Sequence, residues 1–87
     1  MRVIKELDVQ FSKIDGVKRF NQAAFEAACD IEICAGRYNV DAKSLVGIFS
    51  LDLSKPVVVK CRPLENREDE FEDAFETFKE KIKDLLK

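Results

Sequence analysis

The 87-residue chain contains no histidine, and this absence excludes several kinds of chemistry. Without histidine there is no nucleophile–base pair of the Ser–His or Cys–His type. A four-ligand zinc site would need carboxylates to complete it. Glycine-rich phosphate loops are missing too, since Gly16, Gly36 and Gly47 stand far apart. We therefore expect that the chain is not an enzyme and that it holds no cofactor and no metal.

Long apolar runs are also missing. No segment approaches the ~18 consecutive apolar residues that cross a bilayer, and the N-terminal residues mix apolar with charged side chains, unlike a signal peptide. The three cysteines, an odd number, fit a reducing compartment. The sequence thus predicts a cytoplasmic protein of one small domain, residues 1–87, in which Cys29, Cys34 and Cys61 are buried free thiols.

The chain has no large excess of either charge. With 15 basic and 17 acidic residues its net charge is −2, which argues against a general nucleic-acid binder. The acids concentrate late in the chain, as Glu65, Glu68, Asp69, Glu70, Glu72, Asp73 and Glu76. Two interpretations remain open for this run: the solvated face and first turn of a helix, or a binding surface for a basic partner.

Apolar periodicity divides the first half of the chain into a strand, a helix and a hairpin. Residues 2–11 alternate between polar and apolar side chains, which predicts a half-buried strand. Ser12 and Asp15 have the spacing of a capping box, followed by a helix to about Ala28. Residues 30–34 and 37–41 then predict two strands that turn at Gly36.

The second half predicts a short helix, a strand and a long helix. Ser44 is a favourable N-cap for a short helix over residues 44–51, and residues 57–61 form a β-branched run typical of a central strand. Asn66 would cap a helix over residues 67–86, whose apolar stripe is Phe71, Ala74, Phe75, Phe78, Ile82 and Leu85. The order βαββαβα predicts an α/β (α+β, two-layer) fold, with a four-stranded, mainly antiparallel sheet and three helices on one face.

One segment carries a family resemblance. Residues 41–51, Asp-Ala-Lys-Ser-Leu-Val-Gly-Ile-Phe-Ser-Leu, resemble the Asn-Ala-Lys-Ser-Ile-Met-Gly-x-Met-Ser-Leu segment of HPr, the histidine-containing phosphocarrier of the sugar phosphotransferase system. The shared positions include Lys43, Ser44, Gly47, Ser50 and Leu51. The predicted order of elements is also that of the HPr family, so the resemblance implies an HPr-like open-faced sandwich over the whole chain.

The resemblance also shows what has been lost. Without gaps, the position of the family's active-site histidine falls on Lys13, beside Ser12 and Ile14. The phosphate-binding arginine falls on Asp15, whose charge would repel a phosphate, and the following proline falls on Gly16. Because the whole catalytic motif is missing, we do not expect the chain to carry phosphate from phosphoenolpyruvate.

The family's regulatory serine is present as Ser44. In many low-GC Gram-positive bacteria a dedicated kinase phosphorylates this serine, and the resemblance implies the same for Ser44. The alternative is that Ser44 only caps a helix. Leu45, Val46 and Phe49 match the apolar residues with which the family docks its partners, whereas Ile48 and Leu51 are expected to face the core.

Three functions follow as hypotheses. The leading one is an HPr-like regulatory, protein-binding module without phosphocarrier activity, similar to the catabolite-repression relatives of HPr that lack the histidine. Its partners would be phosphotransferase-system or catabolite-regulation proteins, HPr kinase among them, and neither nucleic acid nor a membrane; the oligomeric state stays open. The second is a carrier with a non-histidine acceptor near Ser12. The third is a structural or dimerisation domain without phosphate chemistry.

Overall fold

The structure is a computed structural model that describes residues 4–86. Within these residues the chain forms four β-strands and three α-helices. The strands are β1 (Lys5–Val9), β2 (Cys29–Ala35), β3 (Tyr38–Asp41) and β4 (Val57–Pro63). The helices are α1 (Ile14–Glu26), α2 (Leu45–Phe49) and α3 (Phe71–Lys81), and 3₁₀ turns at Glu68–Glu70 and Lys83–Leu85 flank α3.

The sheet has the order β1-β4-β2-β3, and each neighbouring pair is antiparallel. Its central strand β4 pairs with β1 and β2, as the β-branched run predicted. The register sets Val59 opposite both Leu7 and Ile33, so the inward positions of three strands share one face. This arrangement confirms the predicted two-layer fold and gives the helices a single apolar surface to cover.

The core lies between that sheet face and the helices. Phe20 of α1 packs edge-on against Phe11 and against Phe78 of α3, with ring centroids 5.4 and 5.6 Å apart. The other sheet face carries charged side chains, including Glu6 opposite Lys60. The molecule is therefore an open-faced sandwich, with one sheet face covered by helices and the other, the wet face, exposed to solvent.

Two boundaries differ near the N-terminus. β1 covers Lys5–Val9 rather than residues 2–11, of which 2 and 3 lie outside the described residues. The predicted capping box is wrong, because α1 begins at Ile14 and its N-cap is Lys13, whose side chain makes no capping hydrogen bond. Ser12 lies one residue too early to cap. The helix ends at Glu26 because Ala27 is already extended, with φ −74° and ψ 141°.

The predicted C-terminal helix is divided rather than continuous. Asn66 does not cap it; Asn66 has φ 65°, a left-handed conformation that asparagine tolerates in turns. At the other end α3 stops where Ile82 leaves helical geometry at φ −120°. The break lets the Leu85 carbonyl accept a hydrogen bond from the Gln10 amide at 2.9 Å. Tertiary pairing with the residues after β1 therefore replaces the last helical turn.

Candidate functional site

The segment before α2 is fixed by its own hydrogen bonds. The Lys43 amide donates to Asp41 Oδ1 at 2.9 Å, and the Ser44 amide donates to the Asp41 carbonyl at 3.0 Å. Ala42 is fully buried, and its carbonyl accepts a hydrogen bond from Asn21 Nδ2 of α1 at 3.0 Å. The start of α2 is thus joined to α1 as well as to β3.

Ser44 is the N-cap of α2, as predicted. Its Oγ accepts a hydrogen bond from the Gly47 amide at 3.1 Å, and its carbonyl accepts one from the Ile48 amide at 3.0 Å. Gly47 fits this close approach because a Cβ atom there would lie 3.0 Å from Ser44 Oγ. The serine remains exposed, so its hydroxyl is open to solvent while it caps the helix.

The five residues of α2 separate into a buried and an exposed side. Ile48 is completely buried, as expected, and Leu51 beyond the helix is half-buried against the core. Val46 is 83% exposed and Phe49 is 45% exposed, while Leu45 is half-buried. We call Leu45, Val46 and Phe49 the α2 patch. The α2 patch is thus the exposed apolar side of a short helix.

The start of α1 lacks comparable polar organisation. Ser12, Lys13, Ile14 and Asp15 are all exposed, and the Lys13 carbonyl accepts a hydrogen bond from the Gly16 amide at 3.1 Å. The position expected for a phosphate acceptor is therefore a solvated lysine. A lysine side chain has no imidazole nitrogen that could accept a phosphoryl group.

Residues from the C-terminal end of the described chain hold this helix start in place. Gly16 is buried beneath Leu85, and a Cβ atom on Gly16 would lie 3.2 Å from Leu85 Cδ2. Arg19 forms two hydrogen bonds with the Asp84 carboxylate, at 3.0 and 2.8 Å. This pairing lowers the pKa of Asp84 and raises the pKa of Arg19. The Arg19 guanidinium is therefore already paired with a carboxylate of the same chain.

Within the described residues, three apolar side chains outside the α2 patch are more than 60% exposed, which the sequence did not predict. Ile14 and Phe25 of α1 are each 63% exposed, and Tyr38 of β3 is 62% exposed. Ile14 and Phe25 lie seven residues before and four after Asn21, on the side of α1 that contacts the segment before α2. Their signal in the sequence was that neither fits the apolar stripe that contains Phe20.

The cysteines and acids behave mostly as ordinary structural residues. Cys29 and Cys61 are fully buried, but Cys34 is only half-buried, because its strand position points to the wet sheet face. Burial and the neighbouring Glu32 carboxylate raise the pKa of the Cys34 thiol. The acids of residues 65–76 are exposed at the beginning of α3 and in the turns before it, which fits the solvated-face interpretation.

Residues 4–86 contain neither a metal-binding cluster nor a membrane-spanning helix. In this part of the chain no three His, Cys, Asp or Glu side chains lie close enough together to hold a metal ion. Over the same residues, none of the helices has both the length and the apolar composition to cross a membrane.

Similarity to known proteins appears at the level of structure. No protein-family model and no curated protein sequence matches the chain. The crystal structure of a phosphocarrier protein HPr from Bacillus anthracis str. Ames aligns with a TM-score of 0.67 and 24% identity, over 92% of this chain and 95% of that one. HPr-C-His from Thermoanaerobacter tengcongensis aligns with a TM-score of 0.58 and 24% identity, over 95% and 96%. The fold of this chain is therefore HPr-like.

Proposed function

We propose that the chain is a single-domain, HPr-like regulatory module of the cytoplasm that binds protein partners and does not act as a phosphocarrier. The observation behind this proposal is the contrast between two helix starts on an HPr-like fold. The start of α1 has the exposed Lys13 at the position to which the resemblance assigns the family's histidine. The start of α2 keeps an exposed serine beside an exposed apolar surface.

Phosphorylation of Ser44 would be the regulatory event. The hydroxyl is exposed, and the half-buried Lys43 next to it supplies a positive charge that favours an added phosphate. A phosphoserine brings about −1.5 to −2 charges at neutral pH. That charge would lie beside Val46, so it would repel a partner that binds an uncharged surface and attract one that presents arginine or lysine.

The α2 patch would be the docking surface. Val46 and Phe49 present apolar area at a place where α2 is anchored from beneath by the buried Ile48. A rigid base lowers the entropy cost of ordering the contact residues on binding. Phe25 of α1 is a further exposed aromatic side chain. The partners proposed from the HPr-like fold are phosphotransferase-system and catabolite-regulation proteins.

The test is intact mass after incubation with HPr kinase and ATP. The expected result is a gain of one phosphate in the natural chain and none in Ser44→Asn. Asparagine is the matched variant because its side-chain oxygen caps a helix as well as serine does, yet it has no hydroxyl to modify. No gain in the natural chain, or a gain that persists in Ser44→Asn, would remove Ser44 from the proposal.

The competing functions predict other results. Incubation with enzyme I and phosphoenolpyruvate should leave the mass unchanged, whereas a phosphate that Ser12→Ala abolishes would establish the carrier alternative. A molar mass that rises with protein concentration, together with no kinase reaction, would favour a structural or dimerisation domain. These measurements separate the three functions with one purified protein.

A further inference from the structure

A groove lies between the C-terminal half of α1 and α3, away from the starts of α1 and α2. Its volume is about 280 Å³. Small side chains make the space, because the groove surface is formed by Ala23, Ala27, Ala28, Ala74, Thr77 and the ring of Phe78. Alanines on two neighbouring helices leave room that larger residues would fill, so the groove has an apolar floor of fixed shape.

The rim of this groove is acidic. Glu26, Glu70 and Asp73 contribute carboxylates, and Lys81 is the single cation among the lining residues. Lys81 is already paired with Glu26 across the groove at 2.9 Å. Glu70 accepts two hydrogen bonds from Arg67, at 2.8 and 2.7 Å. Asp73 is exposed in the first turn of α3, so the rim keeps a negative charge that an incoming group can meet.

We propose that this groove is a docking site for a lysine- or arginine-bearing segment of a protein partner. The aliphatic stem of such a side chain would lie over Ala27 and Ala74, and its charged end would reach the carboxylates of Asp73 and Glu70. Lys79 and Lys81 lie further along α3, so the acidic end of the groove gives the bound segment a direction. This site is separate from the α2 patch and goes beyond the proposed function.

Charge decides which occupant fits. An acidic peptide or a nucleic acid would bring negative charge against the carboxylates of the rim and would be repelled. A purely apolar segment would remove the Asp73 carboxylate from water without giving it a partner, which costs free energy. A cationic segment avoids both penalties. Its aliphatic part covers the alanines, and its charged end pairs with the carboxylate.

The probe is a synthetic helical peptide of alanine and lysine, about 14 residues long, with lysines four apart and blocked ends. It is titrated into the ¹⁵N-labelled full chain at low salt and followed by amide chemical shifts. We expect the largest shifts at Ala27, Ala28, Ala74 and Thr77. The exposed substitution Thr77→Arg places a cation in the groove and should weaken binding roughly tenfold or more.

Matched controls distinguish the groove from general attraction to an acidic protein. Asn39→Arg adds the same charge at an exposed position of β3 and should change the affinity less than about twofold. A peptide with glutamate in place of lysine should cause no shifts. Shifts spread over the whole acidic surface, equal effects of the two substitutions, shifts confined to the α2 patch, or no shifts at all would each overturn the proposal.

Discussion

The starts of α1 and α2 both contain a neighbouring serine and lysine, yet the structure uses them differently. Before α2 the order is Lys43-Ser44, and the serine is the N-cap. Before α1 the order is Ser12-Lys13, and the lysine occupies the N-cap position without a side-chain hydrogen bond. The comparison teaches that a capping residue acts only when the helix begins one residue after it.

The two starts also differ in what holds them. The cap of α2 is made by neighbours in sequence, since the bonds among Asp41, Lys43, Ser44 and Gly47 are all local, and Asn21 of α1 adds one longer-range bond to the Ala42 carbonyl. The start of α1 depends on residues about 70 positions away, where Leu85 covers Gly16 and Asp84 holds Arg19. A cap made by local bonds depends mainly on its own segment. A site held by remote contacts changes when either partner segment changes.

The largest effect should come from removing the remote contact. Leu85→Ala deletes a buried side chain above Gly16 and should lower the free energy of unfolding by about 2–5 kcal/mol. Val46→Ala deletes an exposed side chain of the α2 patch and should change it by less than about 0.5 kcal/mol. Urea unfolding followed by circular dichroism measures both values. Equal losses in the two variants would contradict the packing described for α1.

The serines themselves give a smaller and more direct test. Ser44→Ala removes the hydrogen bond to the Gly47 amide and should cost about 1 kcal/mol of unfolding free energy. Ser12→Ala should cost less than about 0.5 kcal/mol, because Ser12 is exposed and lies before the N-cap of α1. Ser44→Asn should restore most of the loss. A larger loss in Ser12→Ala than in Ser44→Ala would reverse the comparison.

Local patterns in the sequence were enough for much of the fold. Two-residue alternation located β1 and β2, and a β-branched run located β4. The stripe from Phe71 to Leu85 located the last helix and the side it buries. The break at Ile82 could not be predicted, because it accompanies the hydrogen bond between the Gln10 amide and the Leu85 carbonyl. That contact joins residues far apart in sequence. Helix propensity alone favours continuing through Leu86.

In the candidate site too, features set by neighbours in sequence could be predicted and features set by distant contacts could not. Ser44 as N-cap and Ile48 as core residue were predictable, since both depend on spacing within one short segment. Ser12 was wrong as a cap because α1 begins one residue later than the capping-box spacing indicated, with Lys13 as its N-cap. The sequence left open a binding surface for a basic partner at the acidic run, but the groove itself could not be predicted, because its walls come from helices that meet only in the folded chain.

The smallest effect concerns pH at the start of α1. The Arg19 guanidinium lowers the pKa of Asp84 in the folded chain, so the ion pair stabilises the fold at pH values above the ordinary carboxyl pKa of about 4. That stabilisation should disappear as the pH falls through the lowered pKa. Urea midpoints should therefore differ between the natural chain and Asp84→Asn at pH 7 and converge near pH 2.

Arg19→Gln is the matched control for this last effect. It should shift the pH 7 midpoint in the same direction as Asp84→Asn, and the double variant should resemble either single one, because all three lose the same pair. Both groups are exposed, so the shift should be small and should shrink further in high salt. Additive shifts would show that the two side chains act separately, and the C-terminal residues would then hold α1 through Leu85 alone.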